Sequence, residues 1–370
     1  MEDETLRMLR DSVDAFTDSD SARVRAARSL AHGYDRDVWH RIGEQGWIAA
    51  LVPEGQGGLG LGCAAAAVIA SGLGRAAFPE PYVSAAVLPA TALSHCHASP
   101  LATEKLSTMA SGEAIVAVAW QNEVGGLDPR ETPLAATREG GYVLISGTAH
   151  FVMAAGVDAI VAVVRQDDAL AMYWVPAASG LAVGQRRRAD WGHDISVTFE
   201  SFRLDAGNLL AQGDAAFDAM HVAIDTALVA AAAELTGATG KMVEMTLEYL
   251  RTRSQFGKQI GSFQALKHRA VDLWMHTELS KAAVASATEA LTGGDLPASD
   301  RSAICSGAKA RASDTALFVG KQAIQMHGAI GVTDEYDLSL YFNRALVLSA
   351  YLGNGAMNRS RYARMKGAQP

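Results

Sequence analysis

The chain reads as an α+β fold: a helical N-terminal segment, a middle β-domain and a C-terminal four-helix bundle. Proline placement is the first sign. Eight of the ten prolines lie at or before Pro176, and only Pro297 and Pro370 follow, which leaves two long stretches free of the residue that removes a helical N–H and clashes with the preceding turn. The second sign is a change of rhythm between about 114 and 200, where short β-branched or aromatic runs alternate with turns. These shifts divide the chain into segments 1–112, 113–212 and 213–370, and a length of 370 residues suits two or three domains with ample core.

The elements follow in order. Residues 1–111 are rich in Ala and Leu and read as mostly helical, interrupted by Val52-Pro-Glu-Gly-Gln-Gly-Gly-Leu-Gly-Leu-Gly62. No GK[ST] follows these glycines and no strand-GxGxxG-helix unit frames them, so a flexible connection between helices is expected rather than a phosphate loop. Strands are expected at 114–120, 141–146, 159–164, 170–175 and 196–200, with turns at Glu139-Gly-Gly and Gln166-Asp-Asp. A helix is expected from about 214 to 251, because Phe217, Met220, Ile224, Leu228, Ala231, Leu235, Met242, Met245 and Leu250 recur at helical spacing. Residues 260–291 and 298–327 read as two antiparallel Ala-rich helices around the turn Thr292-Gly-Gly-Asp-Leu-Pro-Ala-Ser.

Composition narrows the function. A net charge of -8 argues against nucleic acid as a partner. The start is acidic where a signal or transit peptide is basic, and the Ala-rich run 227–233 is too short to span a bilayer, so a cytoplasmic protein with no membrane partner is expected. Cys63, Cys96 and Cys305 are far apart and in no CxxC pair; they read as reduced, buried thiols, and no metal site is implied.

The chemistry concentrates in Arg253-Ser-Gln-Phe-Gly-Lys-Gln-Ile-Gly-Ser-Phe-Gln264, at the end of a long helix. Arg253 offers a planar fork of donors suited to a pyrophosphate, Phe256 an apolar face, and Gln255 and Gln264 amides that donate and accept. Taken singly, an Arg or Gln on a helix is most often a solvated surface group. The whole stretch, however, resembles the flavin-binding motif of the acyl-CoA dehydrogenase family, and a second family motif, Gln325-Met-His-Gly-Ala-Ile-Gly331, lies further on. Gly46-Trp-Ile with the glycine-rich stretch after Val52 is similar to the family's N-terminal loop, and Tyr341-Phe-Asn-Arg-Ala345 to its C-terminal helix. The resemblance covers nearly the whole chain. It implies FAD as cofactor, lying between β-domain and bundle, held by Arg253, Gln255, Phe256 and Gln264, with Gln325, His327 and Gly328 in the same site or an adjoining one across a dimer interface.

The family's reaction, α,β-dehydrogenation of an acyl-CoA thioester, needs a general base to take the α-proton while hydride leaves the β-carbon for the flavin. By the resemblance that base is a glutamate just before a Gly in the C-terminal segment, where this chain has Leu352, or near the start of the first C-terminal helix, where it has Ala227 followed by Leu228. No Asp or Glu occurs after Asp337. Glu234 lies seven residues after Ala227, about 10 Å along a helix; it can pair with a cation, contact substrate or a partner, or serve as a displaced base. Asp225 turns to another face and reads as solvated or as a local helix partner. The family's Thr-bearing flavin loops are replaced by Trp120-Gln-Asn-Glu-Val-Gly-Gly and Phe151-Val-Met-Ala-Ala. A chain with half a cofactor site and no base resembles the shorter subunits of actinobacterial α2β2 acyl-CoA dehydrogenases, several of which act on steroid side-chain CoA thioesters. That implies an unlike subunit carrying the glutamate. The alternatives are a homo-oligomeric flavoenzyme using Glu234, or a non-catalytic scaffold of a catalytic relative.

Overall fold

Side-chain caps and prolines start several helices where the chain needs them. In the computed structural model, which describes residues 4–17, 21–177, 181–294 and 296–367, the first helices are α1 (Glu4–Thr17), α2 (Ser21–Ala27), α3 (Arg36–Glu44), α4 (Gly62–Arg75), α5 (Leu88–Ser94), entered through a π-helical turn at Val83–Val87, and α6 (Pro100–Ala110). Asp35 caps α3 by accepting from the amide of Asp37, and Ser99 caps α6 from the amide of Ala102, with Pro100 where its missing N–H costs nothing. The glycine-rich stretch after Val52 opens on a 3-10 turn, Glu54–Gln56, and a side chain at Gly58 would sit 2.2 Å from the carbonyl oxygen of Val52. Gly58 thus serves close backbone approach, while Gly57, Gly60 and Gly62 take positive φ.

The middle sheet is mixed and eight-stranded, with strands β1 (Val116–Ala119), β2 (Ala135–Glu139), β3 (Tyr142–Val152), β4 (Ala159–Gln166), β5 (Ala169–Pro176), β6 (Ala182–Arg187), β7 (His193–Asp205) and β8 (Leu209–Gln212). The order is β6-β7-β3-β2-β4-β5-β8, and β1 runs parallel to β4. All five expected strands are present. The three additional ones carry weak signals: β6 is exposed along its whole length, β2 buries one residue and β8 has four residues. Asp167 and Asp168, both at positive φ, make the tight turn between β4 and β5.

The C-terminal helices are α7 (Asp214–Thr252), α8 (Gln264–Thr292), α9 (Ala298–His327), α10 (Leu338–Ala350) and α11 (Gly355–Met365). Pro297 precedes α9 and Gly328 closes it at φ 68°, ψ -146°, a region open only to glycine. By length and hydropathy α7 could cross a membrane, but 72% of that stretch is buried inside the fold. Cys63, Cys96 and Cys305 are free and buried.

Residue contacts group the chain into two units, one of Met1–Arg25, Ala67–Phe78 and Leu228–Pro370, the other of Ala26–Ala66 and Pro79–Ala227. In the first, α4 crosses α7 on small residues. A methyl group on Gly74 would lie 2.0 Å from the Glu234 carbonyl oxygen, and one on Gly237 2.0 Å from that of Ser71. Arg75 then clamps Glu244 through two bonds of 2.8 and 3.1 Å. In the second unit, Tyr34 donates to the Ala155 carbonyl (2.8 Å) and Ser84 to that of Met153 (2.8 Å), tying helical segments to the end of β3.

Candidate functional site

The stretch that follows α7 folds into a two-stranded hairpin, β9 (Ser254–Gln255) against β10 (Lys258–Gln259). Its turn residues, Phe256 and Gly257, have φ of 52° and 76°, the type I′ geometry that favours Asn-Gly. A phenylalanine there carries the steric cost of the left-handed region, about 1–2 kcal/mol, and its ring is 89% exposed. Neither backbone comfort nor burial explains that placement. Its ring meets the edge of Phe263, 6.1 Å between centroids.

Arg253 is pinned by its backbone: its amide donates to the Tyr249 carbonyl and its own carbonyl accepts from Ile260, both at 2.9 Å. The guanidinium is exposed, and among the described residues it makes no ion pair or side-chain hydrogen bond. Gln255 is exposed and donates only to the neighbouring Ser254 carbonyl (2.8 Å). Gln264 opens α8 on the exposed surface, and the residue before it is Phe263, which supplies no capping side chain. Leu266 and Lys267 donate to the Phe263 carbonyl, and the amides of Gln264 and Ala265 before them have no side-chain cap, a setting that suits an anion. The hairpin brings together a cation, uncapped amides and an open aromatic ring. This donor set fits a pyrophosphate linked to a flat ring system.

The second motif divides. Gln325 and Gly328 are exposed, and no atom lies within 4 Å of where a side chain on Gly328 would start. His327 points inward. Its ring stacks on Tyr249 (centroids 4.5 Å apart, 28° between planes), lies 5.0 Å from Tyr336, and donates from Nδ1 to the Ala323 carbonyl (2.8 Å). Burial lowers its pKa, outweighing the opposing effect of bonds to the backbone of Ala323 and Met245. The stack joins the ends of α7 and α9, so Arg253, four residues beyond Tyr249, and Gln325, two before His327, lie at the same end of the bundle.

Glu234 is paired. Arg344 of α10 donates to its Oε1 from Nε at 2.7 Å and from Nη2 at 2.6 Å, with side-chain exposures of 4% and 2%. Asp225 is buried rather than solvated, and it adds to the burial that pushes the Cys63 thiol up to about 12. Leu352 lies at the corner between α10 and α11, at φ 53°, with 1% of its surface exposed. In the middle sheet, the loop after β1 is closed on itself: Gln121 Nε2 donates to the carbonyls of Gly125 (3.0 Å) and Gly126 (3.2 Å), and Asn122 Oδ1 accepts from the amides of Val124 and Gly126. Those side chains are engaged with their own loop.

Sequence reasoning passed over Lys309 and Asn358, both buried in the bundle, and marked Arg344 only as part of a family motif, without its partner. A signal existed for the lysine. It interrupts a helical stripe of small residues, Ser302, Ser306, Ser313, Ala316 and Gly320, that faces inward.

A mixed sheet in one unit, and in the other a helical bundle with an exposed hairpin at its end, are the parts that the resemblance to acyl-CoA dehydrogenases implies. Comparison with known proteins agrees. Residues 217–366 match the acyl-CoA dehydrogenase C-terminal domain and residues 3–113 the N-terminal domain. Acyl-CoA dehydrogenase IpdE2 of Mycobacterium tuberculosis is 32% identical over 92% of this chain and 91% of its own, and IpdE2 of Mycolicibacterium smegmatis is 30% identical over 95% of each. The chain belongs to the acyl-CoA dehydrogenase family, whose cofactor is FAD. Among solved structures, the fold matches a Tcur3481-Tcur3483 steroid acyl-CoA dehydrogenase variant (TM-score 0.88, 24% identity, 98% of both chains). It also matches the ChsE4-ChsE5 complex of Mycobacterium tuberculosis (TM-score 0.88, 24% identity, 100% and 99% covered).

Proposed function

We propose that this chain is one subunit of a heteromeric, FAD-dependent acyl-CoA dehydrogenase, cytoplasmic and built from segments 1–112, 113–212 and 213–370, whose catalytic glutamate belongs to an unlike partner. One observation carries this reading. The helices and corner after Asp337 contain five cations, Arg344, Arg359, Arg361, Arg364 and Lys366, and no carboxylate, while Glu234 is committed to Arg344. The chain thus offers no candidate base where the family's chemistry needs one.

FAD, when bound, supplies the hydride acceptor for oxidation between the α- and β-carbons of the thioester. Arg253 and the first amides of α8 neutralise its pyrophosphate, and Phe256 covers a ring face. Gln255, Gln264 and Gln325 offer amides to the adenosine end, and Gly328 lets backbone approach closely. His327 acts through position, holding the two motifs at one end of the bundle. Assembly with an unlike subunit is supported by α8, whose outward side carries Val271, Trp274, Met275 and Leu279, all exposed, at the i, i+3, i+4, i+8 spacing of an apolar stripe. A steroid side-chain thioester is the substrate we favour, because one fold match, the Tcur3481-Tcur3483 variant, is described as a steroid acyl-CoA dehydrogenase.

The test is flavin absorbance per chain after chromatography, for the chain alone and co-expressed with a family relative that retains its glutamate. The expected result is little flavin alone and a yellow mixed complex with fewer flavins than chains. One tightly held FAD per chain in an active homo-oligomer overturns the reading, and a mixed complex whose flavin and turnover survive loss of this chain reduces it to a scaffold.

A further inference from the structure

Lys309, in the middle of α9, has 0% of its surface exposed. Among the described residues no carboxylate lies within ion-pair distance of it. Its Nζ meets three neutral oxygens instead: Ser313 Oγ at 3.0 Å, the Gly353 carbonyl at 3.1 Å and the Ser349 carbonyl at 3.4 Å. The two carbonyls only accept, whereas a hydroxyl accepts or donates. This pocket therefore satisfies an ammonium with three acceptors. It satisfies a neutral amine equally, with two N–H bonds to the carbonyls and a bond from Ser313 to the lone pair.

What the amine holds is the corner between α10 and α11. Leu352 and Gly353 there have φ of 53° and 79°, and Asn358 of α11 fastens the same corner, donating to the carbonyls of Leu352 (3.0 Å) and Gly353 (2.9 Å). Along α11, Tyr362 lies over Gly307 of α9, 3.4 Å from where a side chain would begin. The charged groups of the surrounding elements are engaged elsewhere. Asp314 of α9 pairs with Arg359, Arg361 of α11 donates to Ser306 Oγ (2.7 Å) and the Ser302 carbonyl (3.3 Å), Arg344 of α10 pairs with Glu234, and Lys366 pairs with Asp300 (2.8 Å).

We propose that docking of α11 and its corner onto α9 is proton-linked through Lys309: the docked state accepts the lysine as a neutral amine, and undocking returns Nζ to water, where it takes up a proton. Burial pushes the Lys309 pKa down to about 7 from an ordinary 10.5, against a smaller opposing pull from Asp314. Between those values the undocked state binds one more proton than the docked state, so acidification favours release, by about tenfold per pH unit. Below about 7 both states are charged and the dependence ends.

The experiment is amide hydrogen exchange of α11 peptides in the full chain, followed from about pH 6 to about pH 9 and corrected for the intrinsic exchange rate. Protection in the wild type is expected to rise about tenfold per pH unit above about 7, and Lys309→Met to be level across the range. Asp314→Asn, at an exposed site, removes the opposing charge and is expected to move the onset to lower pH. Level protection in the wild type, or the same slope in Lys309→Met, overturns the proposal. If Lys309→Met does not fold, the Asp314→Asn arm decides: an onset that does not move overturns it.

Discussion

Arg344 and Glu234 meet at the carboxylate oxygen Oε1, which accepts from Nη2 at 2.6 Å and from Nε at 2.7 Å in the interior of the bundle. The helix crossing at Gly74 closes over the same turn of α7, its missing side chain leaving room for the Glu234 carbonyl. A substrate carbon cannot approach a carboxylate enclosed in this way, so the pair reads as a fastening between α7 and α10.

Glu234→Gln is therefore expected to act on stability. Removing one partner leaves the Arg344 charge buried and uncompensated, which costs about 3–5 kcal/mol. Denaturant unfolding measures this, and a double replacement of Glu234 and Arg344 by apolar residues of similar volume should cost much less than the sum of the single changes. A variant of full stability that has lost dehydrogenation at least about a hundredfold would instead make Glu234 the base.

Arg253→Ala should separate binding from folding. The guanidinium is exposed and has no ion pair among the described residues, so its loss changes stability by no more than about 0.5 kcal/mol, while one charge-assisted bond to a pyrophosphate contributes about 1.5–3 kcal/mol, roughly ten- to hundredfold in affinity. Flavin content of the assembled complex reads this out. Arg253→Lys should recover part of it, because a point charge lacks the fork. Unchanged flavin content in Arg253→Ala removes Arg253 from the cofactor site.

Two glycines of α7 make an internal control for the α4 crossing. Gly237→Ala places a methyl 2.0 Å from a backbone oxygen, whereas at Gly240 the nearest atom is Nη1 of Arg75 at 3.8 Å, an ordinary van der Waals contact. The first change forces the helices apart, costing about 1–3 kcal/mol, and the second relieves backbone entropy and gains about 0.5–1 kcal/mol. Thermal unfolding of the two variants should move in opposite directions; a shift of the same sign in both sinks the account.

How far such relationships could be read beforehand depended on their range in the chain. The buried β-branched run of β4, the apolar and aromatic run of β5, and the bounds of α9, between Pro297 and Gly328, are local signals and were readable. Strand β6 was not, because an edge strand exposed along its length has no buried face to impose alternation. The site divided along the same line. Motif spacing marked the hairpin from Arg253 to Gln264, but which side chains of the second motif face outward depends on the stack of His327 on Tyr249, and the partner of Glu234 lies 110 residues away.

The His327 stack carries a pH signature. Its folded pKa lies below the ordinary 6.5 because burial disfavours the cation, so between the two values the unfolded chain binds more protons and stability falls as pH drops. His327→Phe keeps the ring contact with Tyr249 without a titratable nitrogen. Its unfolding midpoint should therefore depend less on pH between about 5 and 7 than that of the wild type. Parallel pH profiles for the two proteins contradict this role.

Leu352→Glu asks whether the chain can regain a base by restoring a carboxylate at the position that resembles the family's catalytic one. The side chain there is 1% exposed, and its corner is held by Lys309 and Asn358 through backbone carbonyls, which leaves the new carboxylate without a donor of its own. A buried carboxylate that finds no partner costs several kcal/mol and responds by taking up a proton, which is the opposite of what proton abstraction requires. The variant is expected to unfold at lower temperature and to show no bleaching of flavin by acyl-CoA. Replacing the candidate glutamate of the unlike subunit should, in the same assay, lower the rate at least about a hundredfold. Turnover gained by Leu352→Glu while the partner's glutamate is absent would show that this chain forms a complete acyl site and lacks only its base.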